Sequence, residues 1–419
     1  RRAGDGDGAI DGYVSLKPRA APVSTAQGRE HLQRWTSIYE ATYAGGGPSD
    51  PLFHVAGWNS SYNDLPIPVE QLRELVEGTA ERVRSLGAKR LAELGCGTGL
   101  LLLRLAPGLE RCLGSDPAPT GLRHIEQVLS GENFRHLRID LRTADADADL
   151  GLKPGELDVV MTNSVVQCFP DAQYLQRVVS ERMLDLLVAG GTAFIGDCRN
   201  LALQMPFHAS VALHRADRAL VGRQIAWRIR NAAAMESQLL VDPRFFSALR
   251  RRTGREFAIR LLLKRGRHDN EMLAFRYDAV LTVGGQRPDP DLVLDWDGGA
   301  PQAIAGRNRV VVRGVANART ARYADLAQAA AAQPETAWAE LIARTPARGI
   351  EPEAWYALAE QLDYDVELSW AAAAADGAYD VLLAPRGAGL PAAPEAEDGP
   401  DRARWFNAPR PGKRAAVTA

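Results

Sequence analysis

The chain has 419 residues, 46% of them hydrophobic and 24% charged, the balance of a folded protein with room for more than one domain. With 50 basic against 52 acidic residues the net charge is −2, which speaks against nucleic acid as a partner; arginine-rich runs such as "RALVGRQIAWRIR" fit solvated helix faces as well as anion contacts. Four cysteines too scattered for a zinc knuckle or a redox pair, and no apolar run near the ~20 residues of a membrane span, lead us to expect a cytoplasmic protein with no metal and no membrane contact.

Residues 1 to 30 do not open on methionine and are rich in Gly, Ala and Pro, which predicts irregular chain apart from a short strand at "DGYVSL" and suggests a piece of something longer. "QGREHLQRWTSIYEATY" predicts a helix over 27–43, with Leu32, Trp35, Ile38 and Tyr39 on one face. After the aromatic-rich "PLFHVAGWNSSYNDLPIP", residues 69–86 form an amphipathic helical pattern. Alternation then sets in: strand 89–94, helix 99–106, strand 111–115, helix 119–130, strand 134–139, acidic loop 144–149, strand 157–162, helix 171–187 and the strand "GGTAFIGDC". Such alternation predicts a parallel sheet with helices on both faces. "FAIRLLLKRG" and "AFRYDAVLTVG" are placed to finish that sheet as an antiparallel pair. The Pro- and Asp-rich text from Gly284 predicts a boundary, followed by strand "NRVVVRGV", helices near 322–344 and 352–362, and strands "DVELSW" and "YDVLLA"; from Pro385 the composition is that of a linker.

The turn in "LAELGCGTGLLLLRLAP" carries the chemistry. A glycine-rich bend between a strand and a helix start lets backbone come close to a ligand and offers it free N–H groups. Gly95, Gly97 and Gly99 alternate, unlike the G-x-G-x-x-G of a dinucleotide site, and no phosphate-loop lysine follows. Glu93 just ahead of the bend suits an ammonium group, Asp116 at the end of the next strand suits a ribose diol, and Asp145 suits an adenine amino group. Asn163 flanks the same pocket, and Cys96, Pro117, Ala144 and Ser164 belong to the same bends. These residue types in this order describe a site for S-adenosylmethionine.

Several long stretches go further: "HVAGWNSSYNDLPIP", "DVVMTNSVVQCFPDAQYLQRVV", "GGTAFIGDCRNLALQMPFHASV", "ESQLLVDPRFF", "LLLKRGRHDNEMLAFRYDAVL", "VVVRGVANAR" and "GIEPEAWYALAEQLDYDVELSW". Through them the chain resembles the methyltransferase domains embedded in adenylation domains of nonribosomal peptide synthetases, over residues 30 to 410, with "GYVSLKP" and "WFNAPRPGK" resembling the flanking adenylation segments. The resemblance implies an α/β, Rossmann-like class I methyltransferase: a mainly parallel seven-stranded sheet with helices on both faces, an N-terminal helical lid and a small C-terminal α/β subdomain. On that plan residues 1–30 are an adenylation-domain remnant, 31–86 the lid, 87–283 the cofactor-binding core with its substrate-side helices, 284–384 the appended subdomain and 385–419 a linker back. The implied partners are an aminoacyl phosphopantetheine on a peptidyl carrier protein and the flanking adenylation domain. The implied acceptor is the α-amine of the tethered residue, with a hydroxyl as the alternative and a non-catalytic scaffolding insert as the rival from another class. Cys168, Met272 and Ala274 depart from the family's usual residues and are expected to border the acceptor pocket.

An amine near pKa ~7.7–8.0 needs a weak base at most, whereas a hydroxyl needs a positioned one. His208 is the first candidate base, although a histidine on a helix face fits the same text. Glu236 either orients the substrate or makes a salt bridge, and Gln167 either holds the substrate or caps a helix. Asn270, Glu271 and Arg276 either bind substrate or brace the pocket. Trp58 and Tyr62 are expected to close over the cofactor, with burial of Trp58 in the core as the competing role.

Overall fold

The computed structural model describes residues 25–45, 50–298, 304, 306–394 and 405–410. The strand expected at "DGYVSL" lies outside them. Eleven strands form one sheet: β1 (Arg90–Leu94), β2 (Arg111–Asp116), β3 (Ile139–Thr143), β4 (Leu157–Asn163), β5 (Leu187–Arg199), β6 (Phe257–Leu263), β7 (Arg276–Val283), β8 (Leu292–Asp295), β9 (Val310–Val315), β10 (Tyr364–Ser369) and β11 (Tyr379–Pro385). Their spatial order is β3-β2-β1-β4-β5-β7-β6-β10-β11-β9-β8. β3, β2, β1, β4 and β5 run parallel, and β7 is antiparallel to both β5 and β6. These seven strands have the order and directions of a class I methyltransferase sheet.

A parallel strand covered on both faces should be apolar throughout. In β1, Leu91, Ala92 and Leu94 are buried, and the charged Glu93 is buried with them. Such a carboxyl needs a reason to be there, and the site below supplies one. The helix Val69–Arg84 buries Leu72, Leu75, Val76, Ala80 and Val83. Each of its larger apolar side chains contributes about 1.5–3 kcal/mol. The helix Thr25–Ala44 packs on the helix Pro119–Ser130, where Glu40 accepts from the Thr120 N–H (2.8 Å) and hydroxyl (2.6 Å).

Two expectations need correction, and two further regions join the body of the fold. The third strand begins at Ile139, because residues 131–137 form turns after Gly131 and only Ile139–Thr143 come into register with Cys112–Asp116. The stretch 171–187 is a one-and-a-half-turn helix, Ala172–Arg177, followed by the wide turn Val178–Met183 and a tight turn at Leu184–Leu186, before β5 starts at Leu187. The appended region 284–384 continues the main sheet. β10 pairs with β6 through Ser369 and Leu262, Trp370 N–H bonds to the Leu261 carbonyl (2.8 Å), and one apolar core runs from Ala92 to Leu383. Buried Glu367 stitches the join by pairing with Arg260 (2.6 Å) and Arg287 (2.7 Å), and β8 arises inside the presumed boundary. Finally, part of the stretch after Pro385 is anchored: Phe406 meets Phe245 edge to face with ring centroids 4.9 Å apart, and Asn407 accepts from the Leu240 N–H at 2.8 Å.

Candidate active site

The carboxyl ends of β1, β2, β4 and β5 open into one cavity, the place where parallel α/β sheets bind ligands. It encloses about 1460 Å³ including its mouth. Trp58, Glu93, Gly95, Cys96, Gly97, Asp116, Pro117, Asp145, Asn163, Ser164, Gln167 and Arg276 all line it. Gly97 has φ +53°, and a Cβ there would press on the Tyr43 hydroxyl at 2.8 Å, while one on Gly95 (φ +79°) would overlap Val165. Only glycine keeps this bend open.

Asp116 shapes the bend from below. Its Oδ2 accepts from the Gly97 N–H and its Oδ1 from the Ala118 N–H, each at 2.8 Å. Burial pushes its carboxyl up to about 6, against the pull of those two bonds. Glu93 goes further, to about 8, through burial and the nearby charge of Asp116. Its Oε2 is buried without a hydrogen-bond partner, and so is Oδ1 of Asn163. A buried polar atom without a partner is costly and implies a missing ligand or water. Asp145, on the exposed rim of the far wall, has its carboxyl raised by partial loss of solvent and by the charge of Asp147.

The roof is aromatic. Along the helix Thr25–Ala44, Trp35, Tyr39 and Tyr43 follow at i, i+4, i+8, with centroids 6.1 and 5.6 Å apart, and His54 continues the row 6.0 Å from Tyr43. Leu32 and Thr36 share that face, and Ile38, expected on it, does not reach the cavity. The floor is a buried charge network. Asp197 on β5 pairs with Arg276 (2.6 Å), and Asp278 on β7 pairs with Lys264 (3.1 Å) and with Arg82. Burial would raise the Asp278 carboxyl, but Lys264 and Arg82 outweigh it and hold it below the usual range.

Other residues expected at the site lie elsewhere. Tyr62 stacks on His214 (4.1 Å, 12° between planes), its hydroxyl taken by Ser210 (3.2 Å), away from the cofactor cavity. Gly99 packs the bend against Ile125, and Ala144 sits behind the wall with its N–H on the Asp116 carbonyl (3.2 Å). His208 and Glu236 line a second chamber of about 950 Å³, which meets the first at Arg276. There burial drives His208 down to about 4, and Glu236 is committed to Arg199 at 2.8 Å. Glu271 borders that chamber but spends its carboxylate on the Ser61 N–H (2.7 Å) and the Ser60 hydroxyl (3.1 Å), bracing the segment before the helix Val69–Arg84. Asn270 caps the helix Glu271–Phe275. Cys168 and Met272 do line the cofactor cavity, whereas Ala274 is buried behind it.

Tyr39, placed from sequence only on a helix face, lines the cavity together with Tyr43, His54, Lys264 and Asp197, none of them expected there. The aromatic spacing of the first helix was a visible signal for the first two, and an acid ending a parallel strand, the rule that picked out Asp116, picks out Asp197 as well.

A family model described as a methyltransferase domain matches residues 91–191, the segment that builds the bend, Asp116, Asp145 and Asn163. Chondramide synthase of Chondromyces crocatus is 34% identical over 377 residues, 85% of this chain and 10% of that protein. A probable non-canonical nonribosomal peptide synthetase of Salinispora arenicola is 33% identical over 299 residues, 71% of this chain and 4% of that protein. Cyclosporin synthetase of Tolypocladium inflatum is 31% identical over 246 residues, 58% of this chain and 2% of that protein. The chain thus spans a tenth or less of these relatives' length. Among solved structures, magnesium protoporphyrin IX methyltransferase from Synechocystis overlays with a TM-score of 0.37 at 12% identity, covering 61% of this chain and 97% of that one; the strand order, not this overlay, carries the fold. Fold and family match together define a class I methyltransferase, an enzyme whose cofactor is S-adenosylmethionine. Within that class, the chain is similar to segments of nonribosomal peptide synthetases.

The residues present fit the cofactor: a bend only glycine can make, a buried acid with an unpaired oxygen beside it, and a second acid at the end of the next strand. Among the described residues, no helix is long and apolar enough to cross a membrane.

Proposed function

We propose that this domain transfers a methyl group from S-adenosylmethionine to the α-amine of an aminoacyl group held as a thioester on a peptidyl carrier protein, next to an adenylation domain of the same synthetase. Glu93 and the bend Gly95–Gly99, with Cys96 between, hold the amino-acid end; Asp116 and Pro117 hold the ribose; Ala144 shapes the wall on which Asp145 meets the adenine; Asn163 and Ser164 border the reacting end; Trp58 covers it. Bound there, the sulfonium supplies an already activated methyl group, so the protein's share is to place an acceptor lone pair in line with it.

The observation that favours an amine over a hydroxyl is the position of His208. The base a hydroxyl would need stands in the second chamber, and burial leaves it too weak to take a hydroxyl proton near neutrality. An amine, partly neutral at that pH, does without it. Mass spectrometry of a loaded carrier, fragmented to locate the added mass, tests this directly: methyl on nitrogen is expected, and methyl on oxygen overturns the reading. His208→Ala should cost less than about tenfold in kcat, well short of the roughly 10²–10⁴-fold that a general base contributes.

Glu93 makes a pH prediction. Without ligand its carboxyl, at about 8, is neutral at pH 7. An ammonium group placed beside it favours the carboxylate, so cofactor binding near pH 7 should release protons, and affinity should climb toward pH 8. The same raised value makes the free protein lose stability as pH rises from the ordinary carboxyl range through about 8. Calorimetry in buffers of unlike ionisation enthalpy reads the proton count. Release in the wild type that shrinks in Glu93→Gln is expected; identical counts would contradict the placement.

A further inference from the structure

We infer that Asp197 orients the acceptor: its unpaired Oδ1, with Oε1 of Gln167, forms a two-acceptor cradle for the N–H groups of a primary amine. Asp197 stands in a bulge of β5, where pairing with β7 shifts register between Ile195 and Cys198, and its φ is +61°. Ser164, just past the end of β4, has φ +57°, and its N–H bonds to the Gly196 carbonyl at 3.2 Å. Left-handed backbone is unfavourable for residues with side chains and clusters where a site demands it.

Ser164 ties the cradle together. Its hydroxyl donates to Asp197 Oδ2 at 2.7 Å, the oxygen that also takes the Arg276 guanidinium, and its carbonyl accepts from Gln167 Nε2 at 2.7 Å. These bonds settle which end of each side chain is occupied. The other ends, Asp197 Oδ1 and Gln167 Oε1, are buried and have no hydrogen-bond donor, with the Lys264 ammonium 4.0 Å from the former. Asp197 is 2% exposed and Gln167 6%, and both line the cofactor cavity where β4 and β5 end. Two desolvated acceptors hung from one serine call for a ligand with two donors.

A primary amine has two N–H groups and one lone pair. With both hydrogens held, the lone pair is the part left to point at the methyl carbon. A hydroxyl fills only one acceptor, and a secondary amine fills one while pressing its substituent on the other. Asp197 is already countered by Arg276 and Lys264, so the cradle does not select an ammonium ion over the free amine. Transfer forms an N–CH3 bond as the S–CH3 bond breaks with its electron pair left on sulfur, and the resulting secondary ammonium gives its extra proton to water on release. The product, now a secondary amine, no longer fits, so transfer stops after one methyl.

The assignment rests on the amine-transfer reading above, and the test separates the two. The 419-residue chain is saturated with S-adenosylhomocysteine and titrated calorimetrically with glycyl-, sarcosyl- and glycolyl-pantetheine amides. The glycyl compound should bind at least about tenfold more tightly than the other two, as expected of a site that loses a hydrogen-bond partner with each analogue. Asp197→Asn, which turns an acceptor into a donor, should weaken glycyl binding by about tenfold or more and leave S-adenosylhomocysteine affinity within about threefold. With S-adenosylmethionine, its kcat should fall by about 100-fold. Equal affinity for glycyl and sarcosyl compounds in the wild type, or an Asn variant within about threefold of wild type, overturns the assignment. Should the variant lose S-adenosylhomocysteine binding, the wild-type ratios alone decide. If the wild type methylates the glycolyl compound and not the glycyl one, the amine-transfer reading itself fails.

Discussion

Asp116→Ala should weaken S-adenosylmethionine binding by roughly two to three orders of magnitude, the equivalent of about 3–4 kcal/mol. Two losses combine. The carboxylate that meets the ribose diol is gone, and hydrogen bonds to a charged group are worth about 1.5–3 kcal/mol each. The Gly97 and Ala118 N–H groups, each now satisfied at 2.8 Å, lose the acceptor that holds the bend in shape. Asp116→Asn keeps an acceptor oxygen and should fall between wild type and alanine. Because the carboxyl stands at about 6, wild-type affinity should also drop as pH falls through that value and the group becomes neutral. Isothermal titration at pH 7.5 and 5.5 reads both effects; an alanine variant indistinguishable from wild type would place the cofactor elsewhere.

The largest effect on stability is expected at Asp278→Ala. This carboxylate is 1% exposed, receives Lys264 at 3.1 Å and Arg82, and accepts the Asp197 N–H at 2.9 Å. Removing it leaves a buried ammonium and a largely buried guanidinium without their shared partner, a situation that costs about 3–5 kcal/mol. Thermal unfolding should come roughly 3–6 °C earlier. Glu340→Ala is the control, since its i,i+4 pair with Arg344 is exposed on both sides and should be worth well under about 1 kcal/mol. Equal melting temperatures for the two variants would mean the network under the cavity adds no stability. The active site depends on this floor: Asp278 holds the backbone of Asp197, and Lys264 and Arg276 face the cavity from it.

What could be read from sequence was local. The strand and bend around Gly95–Gly99 and the helix at Pro119–Ser130 are each specified by neighbours a few residues apart, so their positions follow from spacing and turn chemistry, whereas the helix expected at 99–106 is a single turn, Leu102–Leu105. The β3 offset shows the limit: "FRHLRID" is apolar and basic at alternating points throughout, and only pairing with β2 decides which residues become strand. Long-range choices were not legible. His208 lies on the helix Gln204–Arg215, and whether it faces the cofactor or the neighbouring chamber depends on how that helix is rotated against β5 and β7. Glu236 looks free in "AMESQLL", but its partner Arg199 lies 37 positions earlier and only the fold brings them to 2.8 Å. Likewise, nothing in "DVELSW" announces that Ser369 will pair with Leu262 and extend the sheet past its seventh strand.

The most direct test of the central claim is a crystal structure of the chain soaked with S-adenosylhomocysteine. The account predicts density under the row Trp35, Tyr39 and Tyr43, with the ribose hydroxyls on Asp116, the amino-acid end against Glu93 and the bend, and the adenine toward Asp145. Density in the chamber lined by Arg199 and His208, or Asp116 and Glu93 making no approach to the ligand, would contradict it.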